Sequence, residues 1–247
     1  MKTSNVGHIV EAFYSIQGEG PNVGKPSFFI RFAGCNLRCR YCDSKLASRS
    51  PDWPRKPEDL AVPGIIDQLP EIVRQIPAVC QRVIFTGGEP LLQPLATIAD
   101  EIRRISGRRL LFEVETNGTI FPSTEVRDVV SFWCVSPKLQ GSQDEDESIP
   151  VGFSTENVGR WANAFGWSMT GVFKFVVGSR DEFCEVKDLV QSLEINPSRV
   201  YIMREGVERE SFLGSPFNLE LIEWCKSEGY SYSTRLHVVL WNKTVGV

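Results

Sequence analysis

The 247-residue chain has no excess of positive charge, no long apolar run, no internal repeat and no second cysteine cluster, and each absence removes a class of function. Its net charge is −4 and its pI about 5.4, so no basic field is present to neutralise a phosphate backbone. A small-molecule partner is expected, and nucleic acid is not. No stretch approaches the roughly 18 apolar residues of a membrane span, and Met1-Lys2-Thr3-Ser4-Asn5 lacks the apolar core of a signal peptide. No membrane partner is expected, and the expected location is cytoplasmic. The seven cysteines are an odd number, and Cys80, Cys134, Cys184 and Cys225 stand alone, which suits no disulfide framework. These four are read as packing residues.

What is present is enough apolar residue, 42%, to build one core, and residues 1–247 are read as a single domain. Apolar runs rich in β-branched and aromatic residues predict buried strands at 27–32, 82–86, 110–115, 132–136, 172–177 and 200–203. Between most of them the pattern predicts helices at 65–75, 95–105, 156–165, 182–193 and 218–227, with Asp181 and Pro216 as start signals. Six alternations of strand and helix predict an α/β fold of parallel βα units, a full or partial barrel with its site on the rim at the strands' C-terminal ends. Residues 46–63 and 140–150 break the repeat and read as loops or insertions.

Chemistry concentrates in Gly34-Cys35-Asn36-Leu37-Arg38-Cys39-Arg40-Tyr41-Cys42-Asp43-Ser44. Three thiols stand close together and no fourth is nearby. A structural zinc site needs four protein ligands, whereas an iron–sulfur cube held by three cysteines keeps one iron open. A zinc site completed by a remote His or Cys, or three unliganded cysteines, is the competing reading. Arg38 and Arg40 argue against a plain core segment. Three further polar motifs follow predicted strands: Thr86-Gly87-Gly88-Glu89-Pro90, Glu115-Thr116-Asn117-Gly118-Thr119 and Ser136-Pro137-Lys138. Each also reads as an ordinary turn, Glu89 at a helix N-terminus included.

The Cys-x-x-x-Cys-x-x-Cys spacing, with Tyr41 before its last Cys, resembles the signature of radical S-adenosylmethionine enzymes, and Gly87-Gly88-Glu89 resembles their second motif. The resemblance implies that Cys35, Cys39 and Cys42 hold a [4Fe-4S] cluster whose open iron chelates S-adenosylmethionine. It further implies a partial (β/α)6-type barrel with a modified cluster-loop region. Tyr41, Cys42, Asp43, Gly87, Gly88, Glu89, Asn117, Ser136, Pro137 and Lys138 are then implied to contact that cofactor.

Within that superfamily, Gln17-Gly18-Glu19-Gly20, Arg31 four residues before the first Cys, the Cys42-Asp43-Ser44 ending and the His237-containing tail resemble the 7-carboxy-7-deazaguanine synthase family. The similarity runs along essentially the whole chain. It implies radical ring contraction of 6-carboxy-5,6,7,8-tetrahydropterin to 7-carboxy-7-deazaguanine with loss of ammonia, in queuosine and 7-deazapurine biosynthesis. Ile16, Gln17, Gly18, Glu19, Arg31, Thr86, Glu115, His237 and the carboxylate of Val247 are implied to border the pterin, with Arg31 paired to its carboxylate. Ser44 stands where the family uses a hydroxyl to bind Mg2+. A flavodoxin-like electron donor and a homodimer are implied as well. A glycyl-radical activase would share the cluster loop but leave residues 17–20 and His237 unexplained. A non-catalytic zinc or iron–sulfur module would explain the cysteines alone.

Overall fold

The computed structural model describes residues 9–44, 63–142, 154–242, 244 and 246. Among these residues eight strands lie in one sheet, in chain order from edge to edge: β1 Ile9–Ile16, β2 Pro26–Phe32, β3 Arg82–Gly87, β4 Leu111–Thr116, β5 Val130–Val135, β6 Gly171–Val177, β7 Val200–Arg204 and β8 Ser231–Ser233. β1 is antiparallel to β2 and every other pairing is parallel. The two edge strands do not pair with each other, so the barrel is open. Parallel neighbours need crossovers, and these carry the helices α1 Pro63–Arg74, α2 Leu95–Ser106, α3 Thr124–Val129, α4 Thr155–Trp167, α5 Arg180–Ser192 and α6 Pro216–Glu228, with α7 Leu236–Trp241 after the last strand.

The six strands expected from the apolar runs are β2 to β7, and the five expected helices are α1, α2, α4, α5 and α6. The edges were not expected, for physical reasons. β1 is half-buried along most of its length and lacks a clean alternation, and β8 is three residues of Ser-Tyr-Ser. Helix α5 begins one residue after Ser179, whose hydroxyl accepts from the Glu182 amide, so the cap is Ser179 rather than Asp181. Cys80, Cys134 and Cys225 are buried as read, but Cys184 is exposed. It lies on the solvent side of α5, whose inward stripe is Phe183, Val186, Leu189 and Val190.

The strands' period of two sorts their residues between unlike faces. Phe32, Phe85, Phe112, Trp133 and Phe173 point to the helices and form the main core. Phe85 stacks on Phe112 with ring centres 5.2 Å apart, and Trp133 meets Trp161 of α4 at a tilt, also at 5.2 Å. Burying one such ring contributes about 2–3 kcal/mol. The alternate residues, including Arg31, Thr86, Glu113, Glu115, Cys134 and Lys174, line the opposite, concave face, as the register pairs Arg31 with Thr86 and Glu115 with Cys134 show.

Residues 17–25, between β1 and β2, fold across that concave face and satisfy part of its charge. Asn22 donates from Nδ2 to both oxygens of buried Glu113, each at 3.1 Å, and Arg82 closes an ion pair on the same carboxylate. The Gly20 amide donates to Ser233 Oγ at 2.8 Å, joining the loop to β8. Asn22→Ala is expected to destabilise the protein by about 2 kcal/mol, because a buried carboxylate loses both hydrogen bonds from the Asn22 amide. Urea unfolding at neutral pH measures it, and an unchanged midpoint would show that the loop is not fastened there.

Candidate active site

The cysteine loop leaves the C-terminal end of β2, and the Gly87–Gly88 pair leaves the adjacent end of β3. Their backbones approach so closely that side chains are excluded. A Cβ on Gly88 would sit 1.8 Å from the Gly34 carbonyl oxygen, and Gly87 has φ +114 with the Phe32 backbone 2.4 Å from any Cβ. Two backbone bonds fasten the approach: Gly88 N–H to Phe32 O at 2.9 Å and Glu89 N–H to Gly34 O at 2.7 Å. Glu89 is fully buried. Its carboxylate accepts from the Leu91 amide (2.9 Å), the Asn117 amide (2.8 Å) and Thr116 Oγ1 (2.7 Å). Burial raises its pKa against the pull of these donors. Three of its roughly four acceptor positions are used inside the protein.

The sulfurs suit an iron–sulfur cube. Cys35, Cys39 and Cys42 are in no disulfide, and Cys35 Sγ accepts from the Leu37 amide at 3.4 Å and from Asn117 Nδ2 at 3.8 Å. Burial, and next the Glu89 charge, pushes the Cys35 thiol up to about 12, so a bound metal's charge is what would make it a thiolate. Among the described residues no three Cys, His, Asp or Glu side chains gather to hold one ion. A cube instead offers each thiolate its own iron. Asn117 Nδ2 also donates to Asn36 Oδ1 at 3.0 Å, tying the β4 end to the cysteine loop. At the β5 end, Lys138 Nζ donates to Ser136 Oγ (2.8 Å) and to the Ser136 carbonyl oxygen (2.9 Å), with Pro137 buried between them.

On the concave face Glu115 is clamped on both oxygens, by Gln17 Nε2 and by Thr86 Oγ1, each at 2.9 Å. Gln17 Oε1 accepts from the Glu19 amide at 3.1 Å, which sets the turn after Ile16 and Gln17. Arg31 is pinned through Nε to Glu11 (3.1 Å) and through Nη1 to Ser44 Oγ (2.8 Å); Ser44 in turn donates to Asp43 Oδ1 at 3.1 Å. His237 lies on Gly18, where a Cβ would fall 2.0 Å from Nδ1, and the Leu236 amide donates to the Gly18 carbonyl at 2.8 Å. Burial lowers the His237 pKa against the neighbouring Glu19 charge, which favours the neutral imidazole. Val247, residues 45–62 and residues 143–153 lie outside the described residues.

Two buried cations complete the site. Lys174, on β6, forms an ion pair with Glu19, and Arg235 donates from Nε to the other oxygen of Glu19 at 2.8 Å. Arg235 also pairs with Asp43 and donates from Nη1 to the Gly206 carbonyl at 3.0 Å. Burial would raise the Glu19 pKa, but Lys174 and then Arg235 and His237 outweigh it and hold the carboxyl well below its ordinary range. Burial would likewise lower Lys174, yet Glu19 keeps it above the ordinary lysine value. Neither cation stands out in the sequence as a site residue. Lys174 is hidden in the apolar run Phe173-Lys174-Phe175, where a lone charge inside a predicted buried strand was the available signal. Arg235 stands two residues before His237.

Residues 29–130 match the radical SAM superfamily. The chain is 33% identical to the 7-carboxy-7-deazaguanine synthase of Halobacterium salinarum, over 95% of this chain and 90% of that protein. The chain belongs to the 7-carboxy-7-deazaguanine synthase family. It is also 32% identical to the synthase of Rhodopirellula baltica over 93% of its length and 84% of that protein. The fold agrees with the crystal structure of QueE from Escherichia coli, with a TM-score of 0.63 and 20% identity over 96% of this chain and 100% of that one. Native anSMEcpe with bound AdoMet shares it less closely, with a TM-score of 0.53 and 16% identity over 86% of this chain and 65% of that one. The chain is therefore a radical S-adenosylmethionine enzyme that works with a [4Fe-4S] cluster, and it acts on a small molecule. No described helix is long and apolar enough to cross a membrane.

Glu19→Gln would leave Lys174 buried beside a neutral amide and is expected to cost about 3 kcal/mol at pH 7. Because the Glu19 pKa is depressed, its stabilisation is complete above the ordinary carboxylate value of about 4.3 and is lost as pH falls through the folded-state value. The gap between variant and wild type should therefore be constant near neutrality and close in acid; a gap that widens in acid contradicts the assignment. Gly88→Ala should cost about 3 kcal/mol by overpacking and lower the iron retained after reconstitution. Thermal unfolding and iron assay check the two effects.

Proposed function

We propose that this enzyme converts 6-carboxy-5,6,7,8-tetrahydropterin to 7-carboxy-7-deazaguanine, with loss of ammonia, for queuosine and other 7-deazapurines. It does so as one domain over residues 1–247, in the cytoplasm, with a flavodoxin-like electron donor and as a homodimer. The observation that carries the reading is the clamped Glu115, flanked by Thr86 and Gln17, on the face shared with Arg31. A carboxylate held open by two donors suits the N–H edge of a pterin-like heterocycle, and a guanidinium suits its carboxylate. His237 and the backbone of Ile16 to Gly18 border the same space from the tail side.

Cys35, Cys39 and Cys42 would hold the cluster, and Tyr41, Asp43, Gly87, Gly88, Asn117 and the segment Ser136, Pro137 and Lys138 would border S-adenosylmethionine. Glu89 would take the methionyl ammonium on its remaining acceptor position. When bound, that pair supplies one-electron chemistry able to remove a hydrogen atom from carbon. The protein's own work is positioning. Arg31 is fixed through two nitrogens before substrate arrives, and Glu115 has both oxygens aligned, so little ordering remains to be done on binding. The Ser44 hydroxyl would supply an oxygen ligand for Mg2+, a hard cation that keeps several waters, in exchange for the bond it accepts from Arg31 Nη1. The Val247 carboxylate is proposed to reach the substrate.

Anaerobic reconstituted protein given S-adenosylmethionine, reductant, Mg2+ and the tetrahydropterin should form the deazaguanine over many turnovers, read by mass and ultraviolet absorbance. Deoxyadenosine without that product would point to another small-molecule substrate. Neither product from iron-replete protein would count against the proposed reaction. Arg31→Lys should raise KM about tenfold with a smaller change in kcat, because a point charge replaces a planar fork.

A further inference from the structure

Arg235 lies where three separately encoded segments meet. Nε donates to Glu19 of the 17–25 loop, Nη2 pairs with Asp43, the residue after the last cluster-loop cysteine, and Nη1 donates to the Gly206 carbonyl beyond β7. Only 9% of its side chain is exposed and 12% of that of Glu19, so the Glu19 arm is sheltered from water, while Asp43 keeps 47% of its side chain in solvent. Two of the three partners continue into the site. Glu19 leads to Lys174, and its amide to Gln17, which clamps Glu115. Asp43 leads through Ser44 to Arg31. The backbone repeats the connection, since Leu236 bonds to Gly18 and His237 rests on that glycine.

We propose that Arg235 is a positioning residue that couples the substrate side of the site to the cofactor side, so that each ligand is bound more tightly when the other is in place. The inference rests on the function proposed above. The physical basis is the planar fork. One rigid guanidinium fixes the angles among three acceptors, so displacing Glu19 or Asp43 displaces the other. Lysine keeps the charge and much of the volume, but its three donors share one nitrogen on a flexible stem and cannot reproduce the planar spread of Nε, Nη1 and Nη2, so Arg235→Lys separates geometry from electrostatics.

The test uses iron-replete wild-type and Arg235→Lys protein under anaerobic conditions. Equilibrium dialysis without reductant, where no turnover occurs, gives the factor by which the tetrahydropterin tightens binding of S-adenosylmethionine. With reductant, the ratio of deoxyadenosine to deazaguanine is measured. Wild type should show tightening of about tenfold that falls to near one in the variant, with several deoxyadenosines released per product. Unchanged tightening with an unchanged ratio overturns the inference, as does wild type without any tightening. Asp43→Ala removes one arm outright and is read the same way if the lysine variant fails to retain iron. Wild type that couples the two ligands yet makes no deazaguanine refutes the reaction and leaves the role of Arg235 standing.

Discussion

The concave side of this protein is organised by the need to keep charge inside it. An ammonium such as Lys174 is taken out of water at a cost of several kcal/mol unless a counter-charge meets it, and Glu19 is that counter-charge. Once Glu19 is fixed, the turn carrying Gln17 and Gly18 is fixed with it, Arg235 is drawn in from the opposite end of the chain, and Asp43 follows. The helix-side face needs no such arrangement. Its aromatic layers pack by shape and area, and they leave the inner face to polar chemistry.

This division explains what could be read in the sequence. Strands β2 to β7 were legible because their helix-facing residues are apolar and their length is bounded by Gly, Pro or charge. The motifs at 86–90, 115–119 and 136–138 were legible as strand-end loops, since a parallel sheet puts successive C-terminal ends on one rim. Lys174 was not, because an apolar run that is buried on both faces looks the same whether one face meets helices or a charged interior. Arg235 was not, because its value lies in three partners between 29 and 216 residues away. The edge strands escaped notice because β8 is three residues long and β1 takes its place through pairing with β2 rather than through its own pattern.

The double glycine shows a different limit. Its spacing pointed to ligand contact, whereas the geometry adds a steric reason: the Phe32 and Gly34 backbones occupy the space where side chains would stand. The two roles are compatible, because the N–H groups of Gly88 and Glu89 are spent on Phe32 and Gly34 and so hold this backbone against the cysteine loop and whatever that loop holds.

The bonds that fasten residues 17–25 have an implication for the order in which the protein is made. Glu19 meets Arg235 across 216 positions, and Gly20 meets Ser233 across 213. During synthesis the β1–β2 hairpin leaves the ribosome long before either partner exists. Until the final strand emerges, Glu19 has no guanidinium to meet, and Lys174 too appears only after most of the sheet has been translated. The nascent chain must therefore carry an unpaired carboxylate in a loop without its last fastenings, and the pocket is completed among the last events of folding, when the two ends of the chain first come together.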